Sequence, residues 1–468
     1  MAFTTGFILM SYELIASRIL GPAIGSSLYV WTAVIGVIIL ALAIGYTVGG
    51  YIADKRINTN DVAIILLISA LFILLNIFSY HNILDFISTN ITDSRTQAVV
   101  ATVILFMPPS FLLGMVSPYL ARLRIKSINK TGQSLALLSA SNSIGGILGT
   151  FITGFIFFAY LNINQGLTLL ILILLISSLL MTKKLYKKQL VFSVFILLIA
   201  IMIFIIKTPA SYVQYDTEMS SYKIKYTNID QREISLLVMG PGGYQSGSYV
   251  DGNKDLIFPY TNKIADLVKK SPQKKDILIL GGGAYSLPEY LAKEYPRSNI
   301  TVVEIDGELE QIAKDHFRYE PEKNIRNITQ DARVFLNNNE QKYDIVIVDI
   351  YSDSSVPFSL TTLEYSNAIF ASANKGASII ANVIGSSNGG CSLYFNSLDN
   401  SYKKNFRNVK YFPMIDDAMT ITQNVITVYS NSSLEWAGAS SNYHNDGSNS
   451  FILTDSYSPV ESLQNKCR

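Results

Sequence analysis

The sequence predicts two structural classes in one chain: a multi-span α-helical membrane bundle, then an α/β unit with a small antiparallel sheet and a doubly wound parallel sheet. Three observations predict it. Long uninterrupted apolar runs occupy the chain to about Ile206 and then stop. Short runs of alternating polarity follow, from Tyr215 to about Tyr249. Beyond Lys275, short apolar runs alternate with helix-like stretches. These shifts divide the chain into a membrane domain of about seven helices (1–208), a small β domain (209–265) and a doubly wound domain (266–468).

A membrane span needs about 20 apolar residues. Seven segments qualify, at 2–20, 29–51, 62–79, 98–120, 134–160, 165–181 and 189–206. The first starts at Ala2 with no basic region before it and no small-residue cleavage site after it, so it reads as a span rather than a cleaved signal. It also holds Glu13 and Arg18. A charge in hydrocarbon costs at least about 2.5 kcal/mol, so these two are expected to face other helices or each other. Gly145, Gly149 and Gly154, beside Asn142, predict close helix packing in the fifth segment.

Loop charge sets orientation. Lys55 and Arg56 follow span two; Arg122, Arg124, Lys126 and Lys130 follow span four; Lys183, Lys184, Lys187 and Lys188 follow span six. The other side carries Arg95 and Lys207 near its span ends. The basic side is therefore cytoplasmic, and seven spans put the α/β unit on the exoplasmic face of the cell membrane. Use of a cytosolic co-substrate would demand the cytoplasmic face, and the two expectations conflict.

Composition narrows the function. A net charge of +2 gives no general attraction to nucleic acid. Two cysteines and three histidines are too few for a Cys/His metal cluster, and a His-based triad is not expected. Cys391 and Cys467 either pair or stay free; the sequence leaves this open.

In the small β domain, "SSYKIKY", "EISLLVM" and "GYQSGSYV" read as strands separated by turn residues. After them "DILIL" precedes a helix near Ser286–Glu294, "NITVVEI" precedes "GELEQIAKDHF", "NIRNIT" precedes "DARVFLNN", and "YDIVIVDI" precedes "TTLEYSNAIFASA" and the strand "GASIIANVI". This alternation, with strands apolar on both faces, argues for a parallel sheet wound in both directions. Gly281, Gly282 and Gly283 lie between the first of these strands and its helix, where a bare backbone and free helix N–H groups approach a ligand. Glu304 ends the second strand, where a carboxylate accepts from ribose hydroxyls. Asp331 and Ala332 follow the third strand and are placed against an adenine edge; Asp331 also reads as a helix N-cap. Asp349 ends the fourth strand, at the crevice where open sheets bind ligands. Asp353 lies in the loop beyond it and reads equally as a turn former. Together these strand ends predict nucleoside binding.

"ILILGGG", "VVEID", "QDAR" and "YDIVIVD" resemble, in order and spacing, the motifs of the spermidine synthase family of polyamine aminopropyltransferases. The resemblance runs from about Tyr215 to Val428 and includes "GGYQS" and Tyr260 in the preceding sheet. "YELIASRIL", "VPFSLTTLEY" and "LTDSYSPVESL" resemble the membrane-fused branch of that family. "GYTVGGYIADKR" resembles the loop motif after the second helix of major facilitator transporters, of which seven spans make about half.

The resemblance implies a Rossmann-like, S-adenosylmethionine-type nucleoside-binding sheet. It implies transfer of an aminopropyl group from decarboxylated S-adenosylmethionine to putrescine or a related amine, with no permanently bound cofactor and a homodimeric state. Carried over residue by residue, Glu304 binds ribose, Asp331 and Ala332 the adenine, and Tyr244, Gln245 and Tyr260 line the amine side. Asp349 or Asp353 is the catalytic carboxylate. The sequence departs from the family at Ala284, where an Asp is usual, at Lys223, where a Gln is usual, and in the lengthened loop "DIYSDSSVP". These departures keep two other readings open: an S-adenosylmethionine-dependent methyltransferase, and a non-catalytic nucleoside- or polyamine-binding domain on a membrane bundle.

Overall fold

The computed structural model describes residues 1–25, 27–124, 131–182, 187–205, 212–217, 219–229, 231–240, 243–351, 356–416, 418–433, 438–440, 443, 445 and 450–467. The chain divides into two units, Met1–Ala210 and Ser211–Arg468.

The first unit is helical. It contains α1 (Ala2–Ile24), α2 (Leu28–Lys55), α3 (Thr59–Asn90), α4 (Ser94–Leu105), α5 (Met107–Arg124), α6 (Thr131–Ile152), a π-turn leading into the short α7 (Phe158–Tyr160), α8 (Ile163–Met181) and α9 (Lys187–Ile205). Among the described residues five helices are long and apolar enough to cross a membrane, and six if the bent pair α4–α5 counts as one.

That bend differs from the single straight span expected over 98–120. The two pieces meet at 55°. Pro109 has no N–H to give to the carbonyl of Leu105, four residues back, so the helix breaks there. The freed carbonyl accepts from Asn76 Nδ2 of α3 at 2.6 Å and from the Tyr12 hydroxyl of α1 at 3.3 Å. Asn76 also donates to the Tyr12 oxygen at 2.6 Å. Tyr12, Asn76 and the Leu105 carbonyl thus satisfy one another inside the apolar bundle.

Glycine brings the helices together where expected, with one exception. A Cβ on Gly145 would stand 2.0 Å from the Phe3 carbonyl, and one on Gly149 2.4 Å from that of Phe7, so α6 lies directly on α1. Gly154 has nothing within 4 Å and mediates no such contact. Glu13 is half-buried, and the Arg18 guanidinium lies 4.5 Å from the centre of the Phe158 ring.

The second unit holds two sheets. β1 (Tyr212–Asp216), β2 (Ser221–Ile229), β3 (Arg232–Met239) and β4 (Tyr244–Tyr249) form an antiparallel meander. β1 begins ahead of the expected start of this sheet. Then come α10 (Pro259–Lys270), β5 (Asp276–Leu280), α11 (Ser286–Glu294), β6 (Asn299–Glu304), α12 (Glu308–His316), β7 (Ile325–Thr329), α13 (Ala332–Asn338), β8 (Tyr343–Val348), α14 (Leu363–Ala371), β9 (Ala373–Gly385), α15 (Ser392–Lys403), β10 (Asn408–Pro413), β11 (Gln423–Ser430) and α16 (Val460–Gln464).

The large sheet has the order β10-β11-β9-β8-β5-β6-β7. The five strands from β9 to β7 are parallel, and β11 runs antiparallel to both of its neighbours, β9 and the edge strand β10. The sheet is therefore mixed, not wholly parallel. A short loop joins β10 to β11, and so short a connection reverses the chain.

Alternate residues of each strand feed two cores. Ile277, Ile279, Val302 and Ile345 pack with α10–α12 and with Tyr222, Ile224 and Leu237 of the small sheet. Leu278, Leu280, Val303 and Val346 pack with α13–α16. The helices that follow β5 and β6 thus cover one face and those that follow β7 and β8 the other, which is the doubly wound arrangement. The question left open by the two cysteines is answered here. Cys391, at the start of α15, is disulfide-bonded to Cys467 across 76 residues, with Cα atoms 4.4 Å apart.

Candidate functional site

The strand order reverses direction at β5: chain connections go from β5 outward to β6 and β7, then return to β8 on its other side. In sheets of this order ligands bind in the crevice outside the strands' carboxyl ends, here those of β5 and β8, and several of the sequence-predicted residues stand there.

Gly281–Gly283 form its floor. Gly281 has φ 99°, and a Cβ on it would stand 2.2 Å from the Asp349 carbonyl oxygen. Only glycine lets the turns after β5 and β8 pass so closely. Gly283 has φ 52°, and a Cβ there would lie 3.3 Å from that of Ser246 in β4. Tyr285, at φ 59°, caps α11 and stacks on Tyr319 with centroids 4.7 Å apart.

Glu304 is tied to this floor. The Gly282 amide donates to its Oε2 at 2.7 Å, and the Asp306 amide to its Oε1 at 3.0 Å. Two backbone donors fix the carboxylate beside the glycine turn. Burial raises its pKa above the ordinary value, while the bonds from Asp306 and Gly282 pull it back.

Asp331 stands one strand further out. The Gln330 amide bonds the Glu304 carbonyl at 2.9 Å, so the two acids sit at neighbouring strand ends. Asp331 Oδ1 accepts from the amides of Arg333 and Val334, both at 2.9 Å, and Asp331 is therefore the N-cap of α13. Ala332, the first residue of that helix, is buried.

Asp349 lies on the opposite side of the glycine turn. Burial raises its carboxyl pKa from 3.8 to about 6, against the pull of a hydrogen bond from Asn382. Asn382 Nδ2 donates to Asp349 Oδ1 at 2.9 Å, and Asn424 Nδ2 donates in turn to Asn382 Oδ1 at 2.9 Å. A row of amides thus crosses β11 and β9 to orient an acid on β8. The Tyr351 hydroxyl donates to the Asn382 carbonyl at 3.0 Å and accepts from the Ile384 amide at 2.7 Å.

Tyr260 lies in the first turn of α10; burial first, then the charge of Asp349, holds its phenol well above the ordinary pKa. Its hydroxyl donates to the Gln245 carbonyl at 3.1 Å. That carbonyl is available because Gln245 is the extra residue of a β-bulge. Leu237 pairs with Ser246 and Val238 with Tyr244, which skips Gln245. Tyr244 points elsewhere. Its ring is half exposed and lies 6.0 Å from the Lys225 ammonium.

The structure thus gathers Gly281–Gly283, Glu304, Asp349, Tyr260 and the Gln245 backbone about one crevice, with Asp331 and Ala332 at the next strand end. Asp353 and the Gly242 of "GGYQS" lie outside the described residues. Sequence reasoning missed Asn382, Tyr351 and Ser246. Asn382 had a signal: it is a polar residue within the apolar run "SIIANVI" of a central strand. Among the described residues no group of three or more His, Cys, Asp or Glu side chains is arranged to hold a metal ion. Chemically, the crevice offers a glycine-floored cradle with acids for hydroxyls on one side. On the other it offers a half-buried carboxyl whose pKa is raised to about 6.

The chain is similar to several known proteins. Residues 257–432 match the family described as the spermine/spermidine synthase domain. The chain is 33% identical over 146 residues to a polyamine aminopropyltransferase of Vibrio vulnificus, covering 30% of this chain and 49% of that protein. It is 35% identical over 106 residues to a probable polyamine aminopropyl transferase of Bifidobacterium longum, covering 23% of each. The matches thus span about half the length of these relatives or less. A crystal structure of a probable spermidine synthase from Corynebacterium glutamicum aligns with 24% identity and a TM-score of 0.42, covering 48% of this chain and 82% of that one.

Proposed function

We propose that this chain, in which residues 257–432 form a spermine/spermidine synthase domain, is a membrane-anchored aminopropyltransferase. Decarboxylated S-adenosylmethionine is the donor, and putrescine or a related amine the acceptor. Asp349 carries the reading: a half-buried carboxyl, raised to about pKa 6, whose backbone touches the glycine floor of the nucleoside cradle.

The reaction asks little of the protein beyond alignment and proton removal. The sulfonium sulfur already carries the positive charge that makes it a good leaving group. The acceptor nitrogen attacks the propyl carbon bonded to sulfur; a C–N bond forms and the C–S bond breaks. Methylthioadenosine leaves as a neutral thioether, and the nitrogen's extra proton passes to Asp349. A carboxyl whose pKa has risen toward neutrality takes that proton better than an exposed one. Glu304, held by two amides, accepts from the ribose hydroxyls; Asp331 and Ala332 meet the adenine. Gln245 and Tyr260 line the amine side, and Asp353 supplies a second acid. The protein acts as a homodimer.

The long apolar helices of the first unit serve as the anchor. We place the α/β unit on the exoplasmic face. With 189–206 counted as a seventh span the basic loop ends favour that side, and so does the disulfide, since such bonds persist in oxidising compartments; supply of the donor from the cytosol argues for the other side. Labelling of reduced cells with a membrane-impermeant thiol reagent should modify Cys391 and Cys467; protection after reduction would put the unit in the cytoplasm.

The activity is tested by incubating detergent-solubilised protein with labelled decarboxylated S-adenosylmethionine and a panel of amines, read by mass spectrometry. Methylthioadenosine and a propylated amine are expected in equal amounts. Methyl transfer from intact S-adenosylmethionine, or nucleoside binding without turnover, would replace this reading with one of its two alternatives.

A further inference from the structure

The carboxyl-terminal residues beyond 432 lie outside the matched domain, yet they are fastened to it. The Leu363 amide donates to the Leu453 carbonyl at 2.8 Å, and the Asp455 amide to Glu364 Oε2 at 3.0 Å. Thr361 and Ser458 hydroxyls meet at 3.2 Å. The far end is held by the disulfide between Cys467 and Cys391. Residues 453–458 therefore form a strap zipped along residues 361–364.

At the middle of this zipper Arg333 makes a forked ion pair with Asp455. Nη1 donates to Asp455 Oδ1 at 2.7 Å, and Nη2 pairs with Oδ2. Nη1 also donates to the Ser359 carbonyl at 2.8 Å. The Thr362 hydroxyl donates to the same Asp455 Oδ1 at 2.8 Å. Forked guanidinium–carboxylate pairs fix orientation as well as distance. The Arg333 side chain is 19% exposed and that of Asp455 43%, so the guanidinium is the shielded half of the pair. Arg333 is also the residue whose own amide holds the Asp331 carboxylate.

We propose that Asp455 is a positioning residue for the nucleoside: through Arg333 it fixes the first turn of α13, and so the direction of the Asp331 carboxylate. This inference rests on the assignment of Asp331 to the nucleoside. A surface ion pair between two distant segments would by itself add little to stability. Here its two arms end on the turn that presents an acid to the site, so the effect reaches ligand affinity. Its signature is selective: the nucleoside is affected and the amine is not.

The test uses full-length protein in detergent, with methylthioadenosine as the binding probe and steady-state kinetics alongside. Asp455→Asn and Arg333→Gln should each weaken methylthioadenosine binding about tenfold, the scale of one charge-assisted hydrogen bond. The double variant should be no weaker than Arg333→Gln alone, because both changes remove one interaction. KM for the donor should rise in parallel while KM for the amine and kcat stay within about twofold. Asp455→Glu should recover most of the affinity. Arg333→Lys, which keeps the charge but not the fork, serves if Asp455→Asn fails to accumulate, and should also lose affinity. Unchanged methylthioadenosine binding in a variant with a lowered thermal midpoint would overturn the proposal and leave the strap a structural clip. An equal rise in both KM values would overturn it too. Failure of the unmodified protein to bind methylthioadenosine would instead overturn the nucleoside reading, and this proposal with it.

Discussion

Replacing Asn382 with leucine, which keeps the branching at Cγ but has no donor, removes the hydrogen bond that it donates to Asp349 Oδ1 at 2.9 Å. The donor favours the charged carboxylate, so its loss raises a pKa already at about 6. A hydrogen bond to a charged group contributes about 1.5–3 kcal/mol. At about 1.36 kcal/mol per pH unit, the carboxyl pKa should climb by about one to two units. Asn424 loses its acceptor as well, which costs about 1 kcal/mol of stability without touching the reacting groups. The assay is kcat/KM for the amine across pH 5–9.5, taken as the ratio of variant to unmodified protein so that titration of the amine itself cancels. Above about pH 9 the ratio should level off; below it, the ratio should fall until both proteins are protonated. A ratio independent of pH would mean that Asp349 is not the proton acceptor, whatever its burial.

Three further outcomes are expected. Asp349→Asn should lower turnover by about 10²–10⁴-fold and yet raise the thermal midpoint at pH 8. The folded pKa lies above the unfolded value, so the folded carboxyl holds its proton between pH 3.8 and about 6, and stability is lost as pH rises through that window. The gain should therefore vanish below about pH 4, as differential scanning of the two proteins would read. Gly281→Ala combines a φ of 99° with a Cβ 2.2 Å from a carbonyl. It should cost more than about 2 kcal/mol in the α/β unit and abolish measurable methylthioadenosine binding, checked by calorimetry. Asn76→Leu leaves the Leu105 carbonyl with the weaker Tyr12 bond at 3.3 Å. A loss of about 1–2 kcal/mol should appear in unfolding of the helical unit by denaturing detergent.

The fold class was legible because each half has its own period. Runs without charge marked the long helices, and the alternation of "DILIL" with helical stretches marked the wound sheet. The break at Leu105 was also written in the sequence, in Pro108 and Pro109, but apolarity alone counts residues without asking which ones donate. The antiparallel edge formed by β10 and β11 was harder to read, because strand direction depends on connection length rather than on strand composition. In the site, Glu304 and Asp349 were conspicuous as acids ending apolar runs. Asn382 was not, since its importance comes from a neighbour 33 residues away in sequence, beside it only across the sheet. The bulge that frees the Gln245 carbonyl for Tyr260 arises from a register shift between β3 and β4, and register depends on pairing partners. The disulfide joins residues 76 apart and could not be read from spacing.

The central claim is that Glu304, pinned over the glycine turn by the Gly282 and Asp306 amides, grips a nucleoside. Equilibrium binding of radiolabelled methylthioadenosine to the full-length protein and to Glu304→Ala tests it most directly. Saturable binding that falls by at least about tenfold in the variant, with its thermal midpoint little changed, is the predicted result. Equal affinity in the two proteins would contradict it.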